Sequence, residues 1–125
     1  MMVISKRFEM IDMGTDNRIE LDEKYVFHIP LYRHVDGELV LIEIDEILND
    51  LINMFHQNGF DSLYMAKIKS YYKARLYDEI LLTIFSSAES PVGIFEEWFR
   101  INNDLLGQEA FAYEIGDRMI IFEFE

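Results

Sequence analysis

The stretch SLYMAKIKSYYKARL, residues 62–76, decides how this chain folds. Tyr64, Ala66, Ile68, Ser70, Tyr72, Ala74 and Leu76 fall on one side of an extended chain. Met65, Lys67, Lys69, Tyr71, Lys73, Arg75 and Tyr77 fall on the other. Alternation this long predicts a β-strand with one face against the core and one outward. A helix through Met65, Ile68, Tyr72 and Leu76 would carry its apolar stripe into Glu79, so the strand reading is preferred. DEILLTIFSS, residues 78–87, reads as a second strand, antiparallel to the first after a turn near Leu76–Glu79.

On either side of this pair the pattern turns helical. In IDEILNDLINMFHQNG, residues 44–59, Ile44, Ile47, Leu48, Leu51, Ile52 and Phe55 share one side. Asp45, Glu46, Asn49, Asp50 and Asn53 take the other. Acids in the first turn suit the helix dipole, and Asn58-Gly59 supplies a stop. A second helix is expected from Ser90-Pro91, a capping serine followed by proline at the first helical position. Its buried face is Ile94, Phe95, Trp98, Phe99, Leu105 and Leu106, and Gly107 ends it.

Strands close both ends. YVFHIPLYRHVDGELVLIEI, residues 25–44, holds two β-rich runs around Asp36-Gly37, a hairpin dipeptide. Pro30 has no N–H for a ladder, so the first run should be an edge strand or break there. The second run, apolar at Leu39, Val40, Leu41, Ile42 and Ile44, reads as a strand largely buried on both faces. EAFAYEIGDRMIIFEF, residues 109–124, reads as a hairpin with a Gly116-Asp117 loop, and residues 3–13 suit a further strand. The predicted fold is a single α+β domain over residues 1–125. It has a ferredoxin-like βαββαβ core, two helices on one face of an antiparallel sheet, and extra N- and C-terminal hairpin strands.

Composition narrows the function. Of the 125 residues 50% are hydrophobic and ten are phenylalanine, which argues against disorder. Cysteine is absent, excluding disulfides, thiol catalysis and cysteine-ligated zinc. No apolar run approaches the roughly 20 residues that span a bilayer. The opening residues lack a secretory apolar core, so a cytoplasmic location without membrane association is expected. A formal charge of −13 opposes nucleic-acid binding and would suit a basic protein partner.

Against that charge, residues 67–75 gather four of the chain's 11 lysines and arginines. Next-nearest neighbours on a strand face are roughly 6–7 Å apart, so Lys67, Lys69, Lys73 and Arg75 repel one another unless something negative answers them. Acids of the same chain (Asp78, Glu79, Glu109, Glu114, Glu123, Glu125), a second subunit, or a small anionic ligand could do so. Lys67, Lys69, Tyr71, Lys73 and Arg75 are therefore the candidate anion-binding residues, with cross-strand acids on a solvated face as the simpler account.

Other constellations carry less. His28 and His34 lie about 20 Å apart on a continuous strand, too far to share a metal, and His56 suits a helix C-terminus. The acid pairs Asp45-Glu46, Asp78-Glu79 and Glu96-Glu97 are adjacent in sequence, so their side chains diverge. No Walker loop, dinucleotide fingerprint or nucleophile elbow occurs. No cofactor or metal is expected and no catalytic residue is assignable. The expectation is a small non-enzymatic binding or assembly domain, self-associating as a dimer through a sheet face or edge. The alternatives are an acidic inhibitor or immunity-type protein for a basic partner, and a small-molecule enzyme or sensor holding an anionic ligand on the Lys/Arg face.

Overall fold

The computed structural model describes residues 17–72 and 74–124. The strand expected over residues 3–13 lies outside them, as does Lys73. The elements are β1 (Glu23–Pro30), β2 (Tyr32–Val35), β3 (Glu38–Leu41), α1 (Asp45–Gln57), β4 (Leu63–Tyr72), β5 (Arg75–Ser86), α2 (Val92–Leu106), β6 (Ala110–Ile115) and β7 (Arg118–Glu123).

Five strands form one sheet in the order β4-β5-β1-β6-β7, with every pairing antiparallel. Leaving β7 aside, that order and the two crossovers through α1 and α2 make the split βαβ arrangement of ferredoxin-like domains. β7 extends the edge as the C-terminal hairpin, and β2–β3 is a separate two-stranded ribbon inserted before α1.

Both helices pack on one face. Tyr25, Phe27 and Ile29 of β1, Leu82 and Ile84 of β5, and Phe111 and Tyr113 of β6 share register parity. They enclose the core with Ile47, Leu48, Leu51 and Phe55 of α1 and Phe95, Trp98, Phe99 and Leu106 of α2. Phe27 lies 4.5 Å from Phe95 and 5.6 Å from Phe55 between ring centroids, tying the central strand to both helices. Full burial of one such side chain is worth about 1.5–3 kcal/mol. Where α1 and α2 meet, the indole Nε1 of Trp98 donates to the Ile47 carbonyl at 2.7 Å, so the largest core side chain leaves no buried donor unmet.

The β2–β3 ribbon is fastened at the end of α2. Arg33 Nη1 donates to the carbonyls of Asp104 and Leu105 at 2.8 and 2.7 Å, and Gln108 Nε2 donates to the Tyr32 carbonyl at 3.0 Å. The two Arg33 bonds meet carbonyls that a helix C-terminus leaves without partners. Gly107 ends the helix at φ +63°, and a Cβ there would stand 2.7 Å from Arg33 Nε.

Two expectations are corrected, and the alternatives left open at Pro30 are decided. The run containing β3 was expected to be buried on both faces, yet Glu38–Leu41 is exposed throughout and only Ile42 and Ile44 beyond it are buried. The ribbon meets the main sheet through β2, which touches β5, while β3 lies outside with no second layer over its apolar side chains. Pro30 does not mark an edge strand: β1 is the central strand and breaks after Pro30, the other outcome its missing N–H allows. The turn after β4 falls between the paired Tyr72 and Arg75, and not near Leu76–Glu79. Ala74 makes it by adopting φ +65°, a conformation that side chains rarely take and that no glycine announces.

No helix among the described residues is long and apolar enough to cross a membrane.

Candidate active site on the open sheet face

Among the described residues, the face of the sheet opposite the helices brings three titratable groups together. His28 lies on β1, with β5 on one side and β6 on the other. Its direct neighbour on β5 is Leu81, so Glu79 is diagonal to it. Glu114 of β6 pairs with Val26 and is diagonal on the other side. Diagonal positions lie within reach of long side chains. His28 Nδ1 sits 2.7 Å from Glu79 Oε1, and His28 Nε2 sits 2.7 Å from Glu114 Oε2. The side chains of His28 and Glu79 are only 18% and 20% exposed, that of Glu114 33%.

Ionised carboxylates only accept hydrogen bonds, so a ring bonded to one through each nitrogen is an imidazolium. Burial alone would lower the His28 pKa. The hydrogen bonds and charges of Glu79 and Glu114 outweigh it and hold the pKa above the ordinary 6.5. Burial likewise pushes Glu79 up, but the hydrogen bond and charge of His28, with a further hydrogen bond from Ser70, bring it below its usual range. Three charged groups therefore share one small patch and carry a net negative charge. Such a patch attracts a cationic ligand and orients it by charge-assisted hydrogen bonds.

The residues singled out from the sequence lie elsewhere. Lys67, Lys69 and Tyr71 share the helix-bearing face by register, near the tip of the β4–β5 hairpin, and are exposed. Arg75 pairs with position 72, so parity turns it to the opposite face. Lys73 lies outside the described residues. The five are thus not one row. Lys69 is answered within the chain: its Nζ lies 2.7 Å from Asp78 Oδ1 across the hairpin. That hydrogen bond raises the Lys69 pKa and lowers that of Asp78. His34 is exposed on β2, and His56 Nδ1 meets Asp61 Oδ1 at 2.8 Å on the surface. Among the described residues no group of three or more side chains is arranged to hold a metal.

A separate cleft of about 1300 Å³ opens where α1 ends, β4 begins and β5 ends. Ile19, Leu21, Phe60 and Phe85 give it apolar walls, Asp61 and Glu89 make it acidic, and no described lysine or arginine lines it. Phe85 is six residues along β5 from Glu79, about 20 Å at strand rise, so the triad takes no part in it.

Sequence reasoning named Glu79 and Glu114 as acids able to neutralise the basic stripe, dismissed Glu79 with Asp78 as a diverging pair, and set His28 aside with His34. The signal that would have found the triad is parity combined with strand order. His28, Glu79 and Glu114 share a face only once β5, β1 and β6 are known to be neighbours.

No family model matches this chain. No curated protein matches it either. Among solved structures, a phage SAM lyase in its apo state matches with a TM-score of 0.62 and 14% identity, over 94% of this chain and 98% of that one. A phage SAM lyase in complex with S-methyl-5'-thioadenosine matches with a TM-score of 0.53 and 13% identity, over 82% of this chain and 90% of that one. At these identities the likeness is one of fold. The expectation of a non-enzymatic binding or assembly domain is corrected by this finding, since domains that share the fold over nearly their whole length are those of an enzyme. The absence of a linear motif left this convergence unseen, because His28, Glu79 and Glu114 come from three strands far apart in sequence.

Proposed function

We propose that this chain is a lyase that cleaves S-adenosylmethionine (SAM), and that His28, Glu79 and Glu114 form its reacting site. The reading rests on the two observations together: the fold shared along nearly the whole chain with a phage SAM lyase, and a negatively charged triad on the central strands. SAM carries a sulfonium and an ammonium against one carboxylate, so an acidic protein with an acidic site draws it in and lets a neutral thioether leave.

Cleavage breaks the bond between sulfur and the amino-acid chain. Both electrons pass to sulfur, the sulfonium becomes the neutral sulfide of S-methyl-5'-thioadenosine, and the four-carbon fragment must replace those electrons from within. It can lose a neighbouring proton to a base, or its own carboxylate can close on the carbon as a lactone. Glu79, held below the usual carboxylate range, is a weak base, which favours the second course. Glu79 and Glu114 then hold the cationic groups of a folded substrate, and His28 orients the two carboxylates. A cytoplasmic setting suits a substrate whose charge keeps it from crossing a bilayer unaided.

The test is incubation of the purified protein with SAM and chromatography of the products. S-Methyl-5'-thioadenosine formed by wild type and lost in Glu79→Gln supports the reading. An intact substrate after prolonged incubation contradicts it.

A further inference from the structure

Strand register sorts the described lysines and arginines of the five-stranded sheet by face. Lys67 and Lys69 share the helix-bearing face, and so does Arg118, whose partner Ile115 packs against the core. Arg75 and Lys24 are left on the face that carries His28, Glu79 and Glu114.

The two differ in what surrounds them. On β5 the triad face reads Arg75, Tyr77, Glu79, alternate residues of one strand. Arg75 is exposed and lies four residues from Glu79, about 13 Å at strand rise. Its side chain is long and can lean back along the strand toward that carboxylate. Its register partner is Tyr72, and Asp78 is turned to the other face and held by Lys69. Arg75 makes no ion pair among the described residues. Lys24 pairs with Phe85, six residues and about 20 Å along β5 from Glu79. It is also diagonal to Glu114, which pairs with Val26, and so has an acid of its own within reach.

The triad suits the sulfonium and ammonium of SAM but repels its carboxylate. That carboxylate must lie away from Glu79 and Glu114 while staying a few bonds from the groups they hold. A guanidinium presents a planar fork that matches a carboxylate through two parallel hydrogen bonds. We propose that Arg75 is the subsite for the substrate's carboxylate, gripping it while Glu79 and Glu114 take the cationic groups. The inference deepens the lyase reading and rests on it for the identity of the ligand. It makes the site selective: a nucleoside that carries the amine without the carboxylate is bound less well.

Titration calorimetry with two ligands that the reaction leaves intact tests it. S-Adenosylhomocysteine keeps the carboxylate and ammonium but has no sulfonium to break, and its decarboxylated counterpart keeps the ammonium alone. Wild type should bind the first at least ~10-fold more tightly. Arg75→Ala should remove that preference, Arg75→Lys should retain part of it, and Lys24→Ala should leave it whole. Circular dichroism checks that each variant is folded. Should Arg75→Ala not fold, Arg75→Gln, which keeps most of the side chain's length, carries the test. A wild type that binds neither ligand or does not prefer the carboxylate overturns the proposal. So does a folded Arg75→Ala that keeps the preference, or a Lys24→Ala that loses it. SAM cleaved by a chain whose preference ignores Arg75 sinks the subsite alone. A preference that depends on Arg75 in a chain that leaves SAM intact upholds the subsite and sinks the lyase reading.

Discussion

His28 Nδ1 lies 2.7 Å from Glu79 Oε1, a contact that spans 51 residues of sequence and joins neighbouring strands of the sheet. With the matching bond to Glu114, it places one cation between two carboxylates that would otherwise repel across the central strand. Stability should therefore depend on pH with a definite sign. The His28 pKa is raised above 6.5, so its contribution is complete below pH 6.5 and is lost as pH rises through the raised value. The Glu79 pKa is lowered from 4.5, so its contribution is complete above pH 4.5 and is lost as pH falls through the lowered value. The difference in melting temperature between wild type and His28→Asn should be greatest between pH 4.5 and pH 6.5 and shrink on both sides. A difference that is flat with pH would remove the triad as a linked unit.

Neutralising the carboxylates should cost activity far more than structure. Glu79→Gln and Glu114→Gln are each expected to lower SAM cleavage about 10²–10³-fold, the range seen when a preorganised electrostatic group is removed. Circular dichroism should stay near that of wild type. Full activity in both variants would move the chemistry away from this face.

Gly107 tests how the β2–β3 ribbon is held. Gly107→Ala forces a side chain into φ +63° and brings its Cβ to 2.7 Å from Arg33, whose guanidinium closes the end of α2. Loss of about 1–3 kcal/mol is expected from urea unfolding. No measurable loss would mean that Arg33 swings away without consequence.

The two helices are joined by a buried polar bond as well as by packing. Trp98→Phe removes the indole bond to the Ile47 carbonyl, which keeps the N–H of its own helix, and leaves space in the core. A loss of about 1–3 kcal/mol is expected from the lost bond and the vacated volume. Unchanged stability would show that the bond between the helices contributes nothing beyond packing.

The sequence made the element order legible wherever periodicity was long and punctuated. The alternation over residues 62–72, the helical stripe of Ile47, Leu48, Leu51 and Phe55, and the Gly116-Asp117 loop all appear as expected. Local patterns failed where tertiary context decides. Val40 and Leu41 look like core strand residues, but no second layer covers their strand. Ala74 turns the chain without a glycine to mark it, which carried the expected basic row one strand too far. The triad was invisible for a stronger reason. His28 is 51 and 86 residues from its two partners, and only the strand order makes them neighbours.

The most direct test of the central claim is a single timed reaction of the purified chain with SAM, read by mass spectrometry beside Glu79→Gln. The account predicts S-methyl-5'-thioadenosine and a four-carbon amino-acid fragment accumulating in equal amounts with wild type, and neither above background with the variant. SAM left intact by a folded wild type, or products formed equally by both proteins, would contradict it.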